Sequence, residues 1–374
     1  MIRILQVVNI MDRAGLETML MNYYRNIDRN LLQFDFLTHR PERGAYDDEI
    51  EKLGGKIYHA PRLYPRNYIA YLKYMKKFFG EHPEYKIVHS HIDTMSAFPL
   101  LAARLNNIPI RIAHSHSSKL DIDFKLPIKY LAKLVVPYVA THYFACGRLA
   151  GHFLYGKKLF NIVHNAVELL QFQYNEDVRV EVRKALEIDE ELVVGHVGRY
   201  CYIKNQMFLL DVFCEILKSN ENACLLLVGK GEDEQKLRKR VQELDVTEKV
   251  KFLIDRSDVA QLYQAMDVFV MPSLFEGVPV VGIEAQASGL PCLVSDMISD
   301  EILLTKNIQM KSLKKSASEW ARHILDMNLA RSREAIQELK KQGYCIEQEA
   351  EKLTHWYQKT QLEVDIDENC NDRS

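Results

Sequence analysis

Three features of the 374-residue chain point to a two-domain α/β architecture. Its length exceeds what one ordinary core fills. Short β-rich runs alternate with helical patterns, as in parallel sheets flanked by helices. The alternation also starts afresh near Leu192, after a polar stretch. Two Rossmann-like units are therefore expected, 1–165 and 166–374, the second carrying C-terminal helices and a short acidic tail.

In the first unit, strands are expected at Ile2–Val8, Phe34–Leu37, Lys56–His59, Ile87–His89, Ile110–His114 and His142–Ala145. Helical periodicity runs over Glu17–Arg25 and Asn67–Phe79. Glu168–Asp189 is polar and reads as linker plus a short helix. The second unit is expected to run strand Val193–Val197, helix Gln206–Lys218, strand Ala223–Val228, a helix from Glu232 and strand Val250–Phe252. Strand Val268–Met271, helix Val280–Ser288, strand Pro291–Val294 and helical patterns through Trp356 follow. The acidic stretch Val364–Ser374 is expected to fray. Ligands in such folds favour the carboxyl edges of the sheets and the interface between domains.

Composition sets bounds. A hydrophobic fraction of 47% with 27% charged residues is that of a soluble globular protein. No run approaches the ~20 apolar residues needed to span a bilayer. Met1–Val8 enters a strand pattern directly and lacks the features of a signal peptide. Seven scattered cysteines without a C-x-x-C pair suit reduced thiols in a cytoplasm, not disulfides or a zinc site. The net charge of -2 hides an asymmetry: residues 1–165 hold 23 Lys and Arg against 14 Asp and Glu, and the remainder 26 against 37. A basic first half favours anionic partners, phosphates or an acidic membrane face. Drift in surface charge is the plain alternative, and no nucleic-acid partner is expected.

The densest local signal is Phe275-Glu276-Gly277-Val278-Pro279-Val280-Val281-Gly282-Ile283-Glu284-Ala285-Gln286-Ala287-Ser288-Gly289-Leu290-Pro291, after the apolar strand Val268–Met271. Pro279 suits a first helical turn, and Gly289 with Pro291 marks a helix stop. Glu276 then lies on the loop and Glu284 inside the helix. Amides at a helix start can receive a diphosphate, and a nearby carboxylate can accept two sugar hydroxyls. A capping Glu276 and a surface-paired Glu284 would leave the same pattern. Arg199 and Lys204 follow Val193–Val197, where two cations can stabilise a leaving diphosphate in place of a divalent metal. A solvated basic loop is the competing reading. Gly15, between the first strand and a helix, allows close approach of a phosphate, although no G-x-G-x-x-G is present. His116 lies past the end of Ile110–His114, whereas His114 is expected to be a strand residue with a satisfied hydrogen bond. His89 and His91 are candidates for acceptor contacts. Clustered histidines raise a metal site, but no carboxylate pattern stands behind them and no metal is expected.

The pattern E-G-x-P-x-x-x-x-E-A-x-A-x-G-x-P resembles the signature of retaining GT-B glycosyltransferases of family 4. The resemblance covers nearly the whole chain and is closest to bacterial members of capsular and exopolysaccharide assembly. Met11–Thr18, Ile112–His116, His164–Val167, His196–Arg199 with Lys204-Asn205, and Leu227–Glu232 support it. It implies two Rossmann-like domains facing across a cleft, and hexosyl transfer from a nucleotide-sugar substrate, by family habit a UDP-sugar. The acceptor would be a glycan or a lipid-linked saccharide, and no cofactor is needed. Glu284 would grip the ribose hydroxyls, Glu276 the transferred sugar, and Arg199 and Lys204 the diphosphate. The backbone of Gly277, Val278 and Pro279, with Gly15, Gly198 and Gly229, would line the donor. His116 would contact the reacting centre, with His91 and His114 as acceptor contacts. Retention in this family is explained by front-face attack in which the donor β-phosphate takes the acceptor proton. Family members often carry paired glycines where this chain has Ala14-Gly15.

Asn67–Phe79 also reads as a basic, amphipathic helix able to lie on anionic lipid, and Lys125–Tyr138 is a second such stretch. Packing on the parent sheet is the commoner fate of such helices. Two other functions fit the architecture: a nucleotide-sugar epimerase, which would lack the paired glutamates, and a non-catalytic partner subunit, which would not need Arg199, Lys204, Glu276 and Glu284 together. A Rossmann dehydrogenase lacks its glycine fingerprint here.

Overall fold

A computed structural model describes residues 1–120 and 126–371, with side chains as far as Ile366. The chain forms two compact units, one of Met1–Ala166 joined by the segment from Ile346 onward, the other of Val167–Cys345.

The first unit is built on β1 (Ile2–Val7), β2 (Leu32–Thr38), β3 (Ile57–His59), β4 (Ile87–Ser90), β5 (Ile110–Ser115), β6 (His142–Ala145) and β7 (Asn161–Ile162). These form one parallel sheet in the order β3-β2-β1-β4-β5-β6-β7. Both faces of such a sheet are covered, so strand residues of either parity are apolar. Leu5 and Val7 pack with Tyr71, Met75 and Leu100, while Ile4 and Val8 pack with Met19, Tyr24 and Tyr357.

The second unit holds β8 (Leu192–Val197), β9 (Ala223–Val228), β10 (Val250–Leu253), β11 (Val268–Met271), β12 (Cys292–Ser295) and β13 (Ile308–Lys311). Its parallel sheet runs β10-β9-β8-β11-β12-β13. Val193, Leu226 and Phe269 face one layer of core; Val194, Leu225 and Leu227 face the other, with Phe213 and Trp320. Strand order reverses between β1 and β4 in one sheet and between β8 and β11 in the other. In open α/β sheets, ligands bind at such switch points, outside the carboxyl ends of the strands.

Several expectations are corrected. The segment from Ile346 onward does not belong to the second unit, contrary to the expected boundary of 166–374: the helix Ile346–Asn371 buries Ile346, Ala350, Leu353 and Tyr357 in the first unit's core. Trp356 meets Phe144 edge-on, ring centroids 4.7 Å apart. The helix continues to Asn371, so the fraying expected from Val364 is not seen that far. Glu168–Asp189 is no linker: Leu169, Phe172 and Ile188 belong to the second core, and Arg183 donates to the Ala265 and Asp189 carbonyls. The helix Tyr68–Glu81 buries Tyr71, Met75, Phe78 and Phe79, so its apolar face is taken up by its own sheet and not by lipid. The second basic stretch forms the helix Leu126–Val139, and Lys125 lies outside the described residues. Among the described residues, no helix is long and apolar enough to cross a membrane.

Candidate active site

At the switch point of the second sheet, the loops after β8 and β11 meet. The first turns through Gly198–Tyr200 and a short 3-10 turn, Tyr202–Lys204. Asn205 follows with a left-handed φ of 56° and opens the helix Gln206–Leu217. Its side-chain amide donates to the Pro272 carbonyl at 3.1 Å, and the Leu274 amide donates to the Ile203 carbonyl at 2.8 Å. These bonds tie the two loops and bring Lys204 and Glu276 into contact, with the Lys204 ammonium donating to the Glu276 carboxylate. Both side chains keep under a fifth of their surface exposed. One cation and one anion therefore share a half-buried spot beside the sheet edge.

Glu276 precedes the helix Val280–Ala287, capped at Pro279 in extended conformation. The first amides of a helix have no partner within it and point toward its N-terminal end. A Cβ at Gly277 would meet nothing within 4 Å, so open space lies beside that backbone. Glu284 sits one turn into the helix, partly buried, where Tyr263 Oη donates to its Oε2 at 3.1 Å. Burial raises its carboxyl from the ordinary 4.5 to about 7. Arg199 is mostly exposed and pairs with Glu232 at 2.9 Å. Gly198 and Gly229 hold two loops together: the Gly198 amide donates to the Val228 carbonyl, and a Cβ on Gly229 would stand 2.1 Å from the Gly198 oxygen.

Two residues with no role expected from sequence brace this edge. His196 is buried; its Nδ1 lies 2.9 Å from the Val270 carbonyl and therefore carries the proton, which leaves Nε2 to accept from Gln206 Nε2 at 3.2 Å. Gln206 also donates to the Arg199 carbonyl at 2.8 Å. Burial lowers His196 to about 4, so it stays neutral. Only the helix-initial place of Gln206 hinted at this. A cavity of about 810 Å³, lined by Tyr174, Arg179, Ser288 and Arg331, is distinct from the Lys204–Glu276 edge.

In the first unit, β4 and β5 present four histidines. His89 Nδ1 lies 2.6 Å from Tyr357 Oη, and its Nε2 lies 3.1 Å from His114 Nδ1. His91 donates from Nε2 to Gln6 Oε1 at 2.8 Å, so its Nδ1 accepts from His116 Nε2 at 3.0 Å. That line leaves the His116 Nδ1 lone pair unprotonated. His114 is the hydrogen-bonded strand residue expected, held through Nδ1, and its Nε2 is buried without a partner. Burial holds His89, His91 and His114 neutral and lowers His116 to about 3. Ring nitrogens of His89, His91 and His114 lie within 4.8 Å of one another. Their hydrogen-bonded partners are other imidazoles, Tyr357 and Gln6, not the carboxylates that commonly brace a metal-bound histidine. Gly15 opens the helix Gly15–Asn26, and a Cβ there would meet nothing within 4 Å. Glu17, two residues on, is buried, and burial raises its carboxyl to about 7.

Comparisons with known proteins agree with this geometry. The family model described as Glycosyl transferases group 1 matches residues 191–327, the span holding Arg199, Lys204, Glu276 and Glu284. The putative glycosyltransferase EpsF of Bacillus subtilis (strain 168) is 34% identical over 369 residues, 95% of this chain and 96% of that protein. The capsular polysaccharide biosynthesis glycosyltransferase CapH of Staphylococcus aureus is 27% identical over 293 residues, 76% of this chain and 79% of its own. Among solved structures, Anabaena Alr3699/HepE in complex with UDP and glucose shares the fold with a TM-score of 0.73 over 95% of each chain, at 18% identity. A glycosyltransferase from Rickettsia africae gives 0.75 over 96% of this chain and 98% of its own, at 15% identity.

Proposed function

The chain belongs to the glycosyl transferases group 1 family and is a glycosyltransferase of GT-B fold, and we propose that it is a retaining enzyme of the family 4 type. It takes a sugar from a UDP-sugar and passes it to a glycan or lipid-linked saccharide in surface polysaccharide assembly, at the cytoplasmic face of a membrane. CapH is named for capsular polysaccharide biosynthesis, and Alr3699/HepE was solved with UDP; both support the assignment. The observation that carries it is the Lys204–Glu276 contact at the switch point of the second sheet.

In this reading the diphosphate displaces Glu276 from Lys204. The ammonium then faces phosphate, and the freed carboxylate accepts hydroxyls of the sugar. Arg199, exposed beside Glu232, supplies a second cation, and the backbone N–H groups of Gly277 and Val280 supply neutral donors. Charge that develops as the sugar–phosphate bond breaks meets groups already in place, so no divalent ion is required. The β-phosphate oxygen takes the acceptor proton while the new bond forms on the same face of the sugar. Glu284 holds the ribose, and Gly15, Gly198 and Gly229 shape the phosphate loops. His116, neutral, offers its Nδ1 lone pair to a hydroxyl of the sugar or acceptor, while His91, with both nitrogens engaged, and the fully buried His114 position it from behind instead of making the acceptor contacts expected of them.

A donor screen with UDP- and GDP-hexoses tests this. UDP release should depend on acceptor and persist in EDTA. Lys204→Ala should lower kcat by about 10²–10³, the typical loss of one preorganised charge-stabilising donor, with melting unchanged. Normal turnover in that variant would remove Lys204 from the mechanism, and loss of activity in EDTA would overturn the metal-free reading.

A further inference from the structure

The helix Leu126–Val139 is apolar on both sides. Ala132, Val136 and Val139 are buried in the core of the first unit. Its exposed residues are Pro127, Tyr130, Leu131, Leu134 and Tyr138, and none of them is charged. At 100° per residue they fall in a stripe about 100° wide, the width of a face that normally packs on something. Tyr130 and Leu131 are each 58% exposed, Leu134 68% and Tyr138 75%.

The surroundings extend the stripe and give it a charge. Arg104 donates to the Tyr138 carbonyl at 2.8 Å, and Lys158 to the Pro137 carbonyl at 2.9 Å. Those bonds set two cations at the end of the helix. Their chain neighbours Leu105 and Leu159 are 67% and 94% exposed. Residues 126–160 contain five Lys and Arg and not one Asp or Glu.

We propose that this face, from Tyr130 to Tyr138 with Leu105 and Leu159, docks on an anionic lipid surface. The inference rests on the lipid-linked reading of the acceptor for its purpose, and on exposure and charge for its location. Tyrosines suit the headgroup level and leucines the acyl boundary, while basic side chains reach anionic headgroups from an apolar surface. Anionic lipid also attracts each nearby cation. A second copy of the chain fits less well, because a two-fold contact would bring two cation-rich rims together with no acid between residues 126 and 160 to meet them.

Sedimentation with phosphatidylcholine vesicles, with and without about one third phosphatidylglycerol, tests the docking face. The chain should pellet with the anionic vesicles and be released by salt. Leu131→Glu combined with Leu134→Glu should weaken binding by at least about tenfold, since it puts two charges into the exposed apolar stripe that would meet the lipid. Ile69→Glu, an equally exposed apolar site on another helix, should bind as wild type. Hydrogen-exchange protection of β1, β4 and β5 should be the same in all three, which shows that the first unit of each is folded. Equal pelleting of the double variant, or none by the wild type, overturns the proposal. A wild-type dimer in light scattering that the double variant dissolves, without vesicle binding, assigns the face to a second copy and also overturns it. Vesicle binding combined with transfer to soluble glycans alone would leave the docking face standing and remove the lipid-linked acceptor.

Discussion

Glu284 carries the pH dependence that a single residue can impose on donor binding. Its carboxyl stands at about 7 because burial disfavours the charged form, with Tyr263 the donor that partly offsets this. The ionised form accepts two hydroxyl hydrogen bonds from a ribose, and the protonated form gives up part of that capacity. UDP affinity should therefore climb about tenfold from pH 6 to pH 8, as the bound state draws on the ionised fraction. Calorimetry across that range checks it, with Glu284→Gln as the flat control that removes UDP's own titration. The stability effect has the opposite sense. A folded-state value above the unfolded 4.5 means the folded protein holds the proton more tightly. Stability is then full below about pH 4.5 and declines as pH rises toward 7, so Glu284→Gln should melt higher than wild type at pH 8. Glu276, Glu284 and Lys204 were legible in the sequence because their spacing from strand ends placed them at a sheet edge. His196 and Gln206 were not: they meet through a buried side-chain contact that no periodicity encodes, and the four-histidine line depends on the register of β4 against β5.

At the scale of elements, the donor edge depends on how two loops are pinned. Gly229 has a φ of 143°, and its missing side chain leaves room for the Gly198 carbonyl. Gly229→Ala should cost about 1–3 kcal/mol for the backbone conformation alone and push the Gly198–Arg199 loop away. Lower melting and at least about tenfold weaker UDP binding should appear together, that loss corresponding to the displacement of one charged loop. Gly277→Ala is the contrast: its Cβ enters open space, so melting should hold within about 0.5 kcal/mol while UDP-sugar affinity falls. Strands such as β9, buried along all six residues, were visible as unbroken apolar runs. β7, only Asn161–Ile162 and exposed, gave no such run, and β13 alternates Gln309 and Lys311 with apolar residues at a sheet edge.

Over the whole molecule, the chain closes its first unit last. The periodicity of the C-terminal helix showed that one face is buried, but not on which sheet, and proximity in sequence suggested the wrong one. Tyr357, Ile346, Ala350 and Leu353 complete a core otherwise formed by residues up to Ala166, and Tyr357 also holds His89. Buried side chains of the size of Ile346 and Leu353 contribute about 1.5–3 kcal/mol each and the Ala350 methyl about 0.8, so removing all four approaches the net stability of a domain. A chain ending at Cys345 should thus lose the first unit and keep the second, whose core needs nothing beyond that residue. In hydrogen exchange, β1, β2 and β4 to β6 should lose protection in the truncated protein while β8 to β12 retain it. UDP binding should survive, weakened by no more than the loss of the Gly15 backbone, because Lys204, Glu276 and Glu284 all lie in Val167–Cys345, whereas sugar transfer should stop. Retained protection in β1 and β2 would show that the helix merely decorates the first unit. Loss of protection across both sheets would show that the second unit depends on the first.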